Sequence, residues 1–233
     1  AFIGGGLPVA SAMLAQRTHA PNLVIICETG PIGPEILPSP GCISDPKLWH
    51  RASRHGTLRE VLAFLQQGRV DVGFLSGAQV DRYGNLNSTV LAPGTPGEVR
   101  FAGSGGANDI ASCARRTLII LRHERRRFPE RVDFVTSPGF LEGPGARGRA
   151  GLLGEGPSRV ITDLAVMDFD PQSCTMRLRQ LHPGVKAEEV QEQTGFDLPA
   201  APELSETPPP TPEELRLLRE VIDPLRLYVG GGA

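Results

Sequence analysis

Aromatic residues are scarce, with one Trp, two Tyr and nine Phe among 233 residues. So few rings leave no platform on which nucleic-acid bases could stack. An excess of either charge is missing too: the net is −2, and the basic residues are dispersed except over Arg122–Arg127. Nucleic acid is therefore excluded as a partner. No apolar run approaches the roughly 18 residues of a membrane helix, and no basic leader with a small-residue cleavage site opens the chain. The expectation is a soluble, cytoplasmic protein with no membrane partner. Cysteine is limited to Cys27, Cys42, Cys113 and Cys174, far apart and without a CxxC pair. Reduced thiols are expected, with no disulfide frame and no metal site.

What is plentiful is Gly and Pro, 28 and 22 residues, which divide the chain into short elements. Its length suits one large domain or one domain with an arm. We assign residues 1–198 to the domain, and 199–233 to a Pro-rich connector and a last helix packed on it. Ala1-Phe2-Ile3 runs at once into Gly4-Gly5-Gly6, as if entering mid-strand. A preceding helix and part of the first strand are expected to be missing.

The organising stretch is Val24 to Gly30. Leu23 to Ile26 is a branched apolar run that reads as a strand buried on both faces of a parallel sheet. Glu28 follows where that strand runs out into the loop Thr29 to Pro34, and strand ends are where open α/β sheets place ligands. That position makes Glu28 a candidate nucleophile or base. For a single Glu, capping a nearby helix or pairing with an Arg is the commoner role, and position alone does not separate the two.

Along the chain, Gly4 to Leu7 reads as a tight turn before a helix over Val9 to Arg17, with neither GxGxxG spacing nor a P-loop Lys. The chain is irregular from Thr29 to Pro46. Thr57-Leu58-Arg59-Glu60 is a capping box opening a helix that ends at Gly68, with Leu58, Val61, Leu62 and Leu65 on one face. Val70 to Leu75 is a strand. Asp81, Asn85, Asn87 and Ser88 build a hairpin-like turn, in which Gln79 and Asn87 are candidate amide donors to a pocket. Phe101 to Asp109 is a second glycine-rich turn, followed by a helix to Arg116 and a strand over Leu118 to Leu121. Its N–H groups could converge on a developing oxyanion, although a plain tight turn is the alternative.

His123 to Arg127 reads as a solvated or subunit-facing charged run. A strand is expected over Val132 to Val135, and then a mobile Gly-rich excursion to Gly156 that could act as a lid or partner contact. Val160 to Asp163, Val166 to Phe169 and Thr175 to Leu181 read as strands added antiparallel to the main sheet. A short helix over Ala187 to Gln193, a Pro-rich connector from Leu198 to Pro210 and a helix from Leu215 to Ile222, capped by Thr211 to Glu214, complete the chain.

Three segments carry a family likeness: Cys27-Glu28-Thr29-Gly30, Gly77 to Thr89, and Phe101 to Asn108. With His123 to Phe128, Thr136 to Gly139, Gly143 to Gly145, Val160 to Asp163 and Thr194 to Asp197, they follow the order and spacing of one family. Across nearly its whole length the chain resembles the β subunit of glutaconate CoA-transferase, among the class I CoA-transferases. The resemblance implies an α/β fold, an open and mostly parallel sheet flanked by helices. It also implies a separate CoA-transferase α subunit as partner, with the active site where the two subunits meet.

Coenzyme A would be a substrate, with no permanently bound cofactor, and acyl-CoA and a carboxylic acid would be the reactants. Glu28 matches the position of the family's covalent nucleophile. Gly103, Gly105, Gly106 and Ala107 are nominated as oxyanion donors. Gly5, Gly6, Cys27, Gln79, Asn87 and Asn108 are nominated for substrate or CoA binding. The acid is expected to be short-chain and dicarboxylic, like glutaconate. Relatives that decarboxylate or hydrolyse acyl-CoA leave those branches open, as does a non-catalytic assembly role.

Overall fold

Four strands of two residues each lie in the first part of the chain, and the first two are buried. In the computed structural model, which describes residues 1–230, Phe2–Ile3 (β1) is followed by Leu7–Arg17 (α1), Ile26–Cys27 (β2), Pro31–Ile32 (β3), Arg54–His55 (β4) and Leu58–Gln66 (α2). The chain divides into two units, Ala1–Val70 with the stretch from Pro209, and Asp71–Pro208.

In the first unit β1 and β2 pair in parallel, Phe2 beside Ile26 and Ile3 beside Cys27. The β2/β3 and β3/β4 pairs are antiparallel. α1 starts after Gly6, whose φ of 84° suits glycine, and takes Pro8 into its first turn, where a missing N–H does no harm. Val9, Ala10, Ala12 and Met13 are its buried face. α2 opens on the expected capping box: Thr57 Oγ1 accepts the Glu60 N–H at 3.3 Å and Glu60 Oε2 accepts the Thr57 N–H at 2.8 Å.

Three expectations shift in this unit. The strand expected over Leu23 to Ile26 is only Ile26–Cys27, because pairing with β1 covers just those residues and Val24 is 55% exposed. The loop after Glu28 is partly ordered, doubling back at once as β3 and later forming a 3-10 turn over Pro46–Trp49. Val61 and Leu65 form the buried stripe of α2, whereas Leu58, its first residue, stays half exposed.

The second unit comprises Val72–Leu75 (β5), the pair Gln79–Val80 (β6) and Leu86–Asn87 (β7), the pair Val90–Leu91 (β8) and Val99–Arg100 (β9), and Ala107–Cys113 (α3). It continues through Arg116–Ile120 (β10), Ala146–Arg149 (α4), Pro157–Ile161 (β11), Ala165–Phe169 (β12), Met176–Leu181 (β13), Ala187–Glu192 (α5) and Ala200–Glu206 (β14). β10 runs parallel to both β5 and β11, while β12 is antiparallel to β11 and to β13, the addition expected from the sequence. α3 packs closely on β5: a Cβ at Gly73 would lie 2.3 Å from Ile110 Cγ2, so only glycine fits.

β14 lies where the sequence reads as a connector. It pairs in parallel with β13 at the edge of the sheet, the position that tolerates Pro202. Its side chains are mostly exposed, so no apolar alternation announces it. Conversely, Val132 to Val135 is not a strand. Asp133 is held by its own bonds, its N–H donating to Gln79 Oε1 at 3.0 Å and its carboxylate accepting the Ala92 N–H at 2.8 Å.

The glycine-rich excursion is pinned rather than loose. Asn85 Oδ1 accepts the N–H groups of Gly139 and Leu141, and Arg147 is buried among four carbonyls. His123, read as part of a solvated run, is also buried. Its ring stacks on Phe128 with centroids 4.2 Å apart, between the hydroxyls of Thr162 and Thr194.

Burial pushes the His123 imidazole down from the ordinary 6.5 to about 4, opposed by Asp163. Below pH 6.5 the unfolded chain therefore takes up a proton that the folded chain refuses. Stability is expected to be full above pH 6.5 and to fall by on the order of 3 kcal/mol as the pH drops to 4. Urea midpoints between pH 7 and pH 5 check this: the slope should flatten in His123→Gln, and an equally steep variant would refute it. The comparison with the variant cancels Asp81, whose carboxyl is pushed up by burial and acts in the opposite sense.

The chain ends with Pro212–Arg216 (α6), capped by Thr211 and Glu214 as expected, which widens into a π turn over Leu217–Ile222. No helix among the described residues is long and apolar enough to cross a membrane.

Candidate active site

In the first unit, β2 ends in a tight turn that fixes Glu28. Its N–H donates to the Ile3 carbonyl at 3.3 Å, and the Gly30 N–H closes the turn on the Cys27 carbonyl at 3.0 Å. Glu28 and Thr29 are thus the corner residues, and Thr29 Oγ1 donates to the Ile43 carbonyl at 3.1 Å. Gly30 has a φ of 131°, and a Cβ there would sit 2.2 Å from the Gly56 oxygen, so the turn requires glycine. The backbone of Glu28 is held on both sides while its side chain is only half-buried.

Cys27 differs from its nomination. The residue is fully buried, and desolvation pushes its thiol up to about 12. It is a core thiol, protonated at neutral pH, and offers no surface to substrate. Gly5 and Gly6 precede α1, and Gly5 is exposed. Open space surrounds a Cβ built at Gly4 or Gly6.

In the second unit, the glycine-rich turn leads into α3. Two of the four nominated donors are already engaged: the Gly103 N–H donates to the Ser88 carbonyl at 3.0 Å and the Ala107 N–H to the Ser104 carbonyl at 2.9 Å. Gly106 is engaged within the chain as well. The Gly105 N–H, at a φ of 49°, takes no partner among the described residues. Gly103 and Ala107 thus drop out as donors, and Gly105 keeps an open N–H.

A cleft of about 670 Å³ opens beside this turn, lined by Gln79, Ser88, Phe101, Gly103, Arg126 and Arg127 among others. Gln79 therefore reaches a cavity. Asn87 does not, because both of its amide hydrogens are engaged, one on Gln79 Oε1 at 2.8 Å and one on the Val90 carbonyl at 2.7 Å. Asn108 is exposed in the first turn of α3, its Nδ2 donating to the Thr136 carbonyl at 3.0 Å. The sequence reads Arg126 and Arg127 as part of a solvated or subunit-facing charged run. Arg127 hydrogen-bonds the Gly77 carbonyl and pairs with Glu124, so both cations border the cleft. The sequence signal for them was the basic run itself, without the 3-10 turn that aims it.

One family pattern accounts for this chain over most of its length: that of the coenzyme A transferases matches residues 1–193. The chain belongs to the coenzyme A transferase family. Among relatives of this coenzyme A transferase chain, one subunit of 3-oxoadipate CoA-transferase from Pseudomonas knackmussii is 43% identical, covering 94% of this chain and 84% of that one. The crystal structure of glutaconate coenzyme A-transferase from Acidaminococcus fermentans superposes with a TM-score of 0.91 at 37% identity, over 99% of this chain and 90% of that one. The fold expected from the sequence is therefore the fold found. The IpdB subunit of a cholesterol ring-cleaving hydrolase from Rhodococcus jostii is 31% identical over 95% of this chain and 83% of its own.

Proposed function

We propose that this chain is the β subunit of a CoA-transferase that, with a separate α subunit, moves CoA from an acyl-CoA to a short-chain dicarboxylic acid through a covalent glutamyl-CoA. The observation that carries this reading is Glu28, half-buried at a strand end on a fixed turn, beside a cysteine too buried to compete. The acids named for two relatives, 3-oxoadipate and glutaconate, are both dicarboxylic, which supports that substrate class.

The Glu28 carboxylate attacks the thioester carbonyl and expels CoA thiolate, leaving a mixed anhydride. The thiolate then attacks the Glu28 carbonyl, releasing the donor acid and leaving CoA as a thioester on Glu28. An acceptor carboxylate runs the two steps in reverse and departs as its CoA ester. Carboxylates are weak nucleophiles in water, so covalent catalysis here depends on holding the reactants together. Each tetrahedral intermediate carries an oxyanion, for which the Gly105 N–H is the donor we assign. Gln79, Arg126 and Arg127 are assigned to the polar and phosphate-bearing parts of CoA.

The test is mass spectrometry of the complex formed with the partner subunit, incubated with succinyl-CoA and no acceptor. A CoA adduct on the peptide bearing Glu28 is expected, discharged by 3-oxoadipate or glutaconate with formation of its CoA ester. Consumption of the thioester to free CoA or carbon dioxide with no adduct would favour a hydrolase or decarboxylase and overturn the transferase reading.

A further inference from the structure

Behind the glycine-rich turn of the second unit sits one buried hydroxyl. Thr136 is 5% exposed. Its Oγ1 accepts the Ser88 N–H at 2.9 Å and lies 2.7 Å from Thr89 Oγ1. The Thr136 N–H donates to the Leu86 carbonyl at 2.8 Å, which ties the residue to β7.

Both ends of the turn return to this threonine. At the start, Ser88 grips Gly103 twice, its carbonyl accepting the Gly103 N–H at 3.0 Å and its Oγ donating to the Gly103 carbonyl at 3.0 Å. At the far end, Asn108 Nδ2 donates to the Thr136 carbonyl at 3.0 Å, while the Asn108 N–H donates to Ser104 Oγ at 3.1 Å. Gly105, with its unpartnered N–H, lies between the two anchors. A stretch with three glycines in four residues has many backbone states open to it, so its geometry must be imposed from outside. An oxyanion donor works only when its position is set before the charge develops.

We infer that Thr136 is a positioning residue for the transfer reaction, clamping the Gly103 to Asn108 turn so that the Gly105 N–H meets the oxyanion. This rests on the reading of Glu28 and Gly105 given above. The clamp acts on the transition state and not on the ground-state thioester. Its loss should therefore appear in kcat and leave KM alone.

The experiment compares Thr136→Val, which removes the hydroxyl and keeps the shape, with Thr136→Ser, which keeps the hydroxyl. Both are assayed in the assembled complex with succinyl-CoA and 3-oxoadipate. Thr136→Val should lose between about tenfold and about a hundredfold in kcat, with KM for succinyl-CoA within about threefold of wild type. Thr136→Ser should recover to within about threefold of wild type. A wild-type kcat in Thr136→Val, equal losses in both variants, or a rise in KM alone would overturn the clamp.

Should Thr136→Val not assemble, Ser88→Ala severs only the bond to the Gly103 carbonyl and decides the matter. A fall in kcat at constant KM supports the clamp, and a wild-type kcat overturns it. Glu28→Gln run in parallel separates the two levels. Turnover by Glu28→Gln removes the covalent reading and the clamp with it, whereas an inactive Glu28→Gln beside a fully active Thr136→Val removes the clamp alone.

Discussion

Glu28→Gln is expected to lower transfer by at least about a thousandfold while the complex still assembles. The amide has the same shape and can sit on the same turn, whose backbone is fixed by the Glu28 and Gly30 N–H groups and by the Thr29 hydroxyl. What it lacks is the charged oxygen that forms the anhydride. Glu28→Asp separates charge from reach: it keeps a nucleophile but retracts it by one methylene, and a displacement of that size can cost about a hundredfold. Size-exclusion profiles and turnover measured on the same preparations are the check. Substantial transfer by the Gln variant would assign the chemistry elsewhere.

Glu28 could be nominated from sequence alone because its information is local. A branched apolar run, an acidic residue and a Gly/Pro stretch describe a strand, its end and its loop, and the structure keeps that sequence of events even though the strand is two residues long. The capping boxes at Thr57 and Thr211 were legible for the same reason, since all their partners lie within three residues. Gly103 and Asn87 were not. Whether an N–H or amide is available depends on what faces it, and Ser88 and Gln79 meet these two residues through folding. β14 was missed because an exposed edge strand containing Pro has no hydrophobic alternation to read. His123 was misread because its charged sequence neighbours say nothing of Thr162 and Thr194, which enclose it from distant segments.

The glycine-rich excursion was the furthest from expectation, and it yields the second large prediction. Arg147 is 7% exposed, forms no ion pair among the described residues and gives its donors to four carbonyls. Nε bonds Gly154 at 3.0 Å, Nη1 bonds Pro138 at 3.2 Å and Gly139 at 2.8 Å, and Nη2 bonds Ala111 at 3.0 Å. Burial lowers its pKa from the ordinary arginine value, yet a guanidinium stays charged and the carbonyl dipoles stand in for a counter-ion. Arg147→Met keeps an apolar stem and strands those oxygens, each of which loses a charge-assisted bond inside the protein. A loss of about 3 to 5 kcal/mol is expected, or roughly 6 to 20 °C in melting temperature for a domain of this size. Arg147→Lys should recover only part of it, because one ammonium cannot span three directions. Limited proteolysis should cut the variants first between residues 139 and 156, and a melting curve unchanged in Arg147→Met would return the segment to the status of a loose lid. Because the Ala111 carbonyl belongs to α3, the helix that begins at the glycine-rich turn, loosening this staple should also slow transfer. Unlike the loss in Glu28→Gln, that slowing should diminish as the temperature is lowered and the folded form regained.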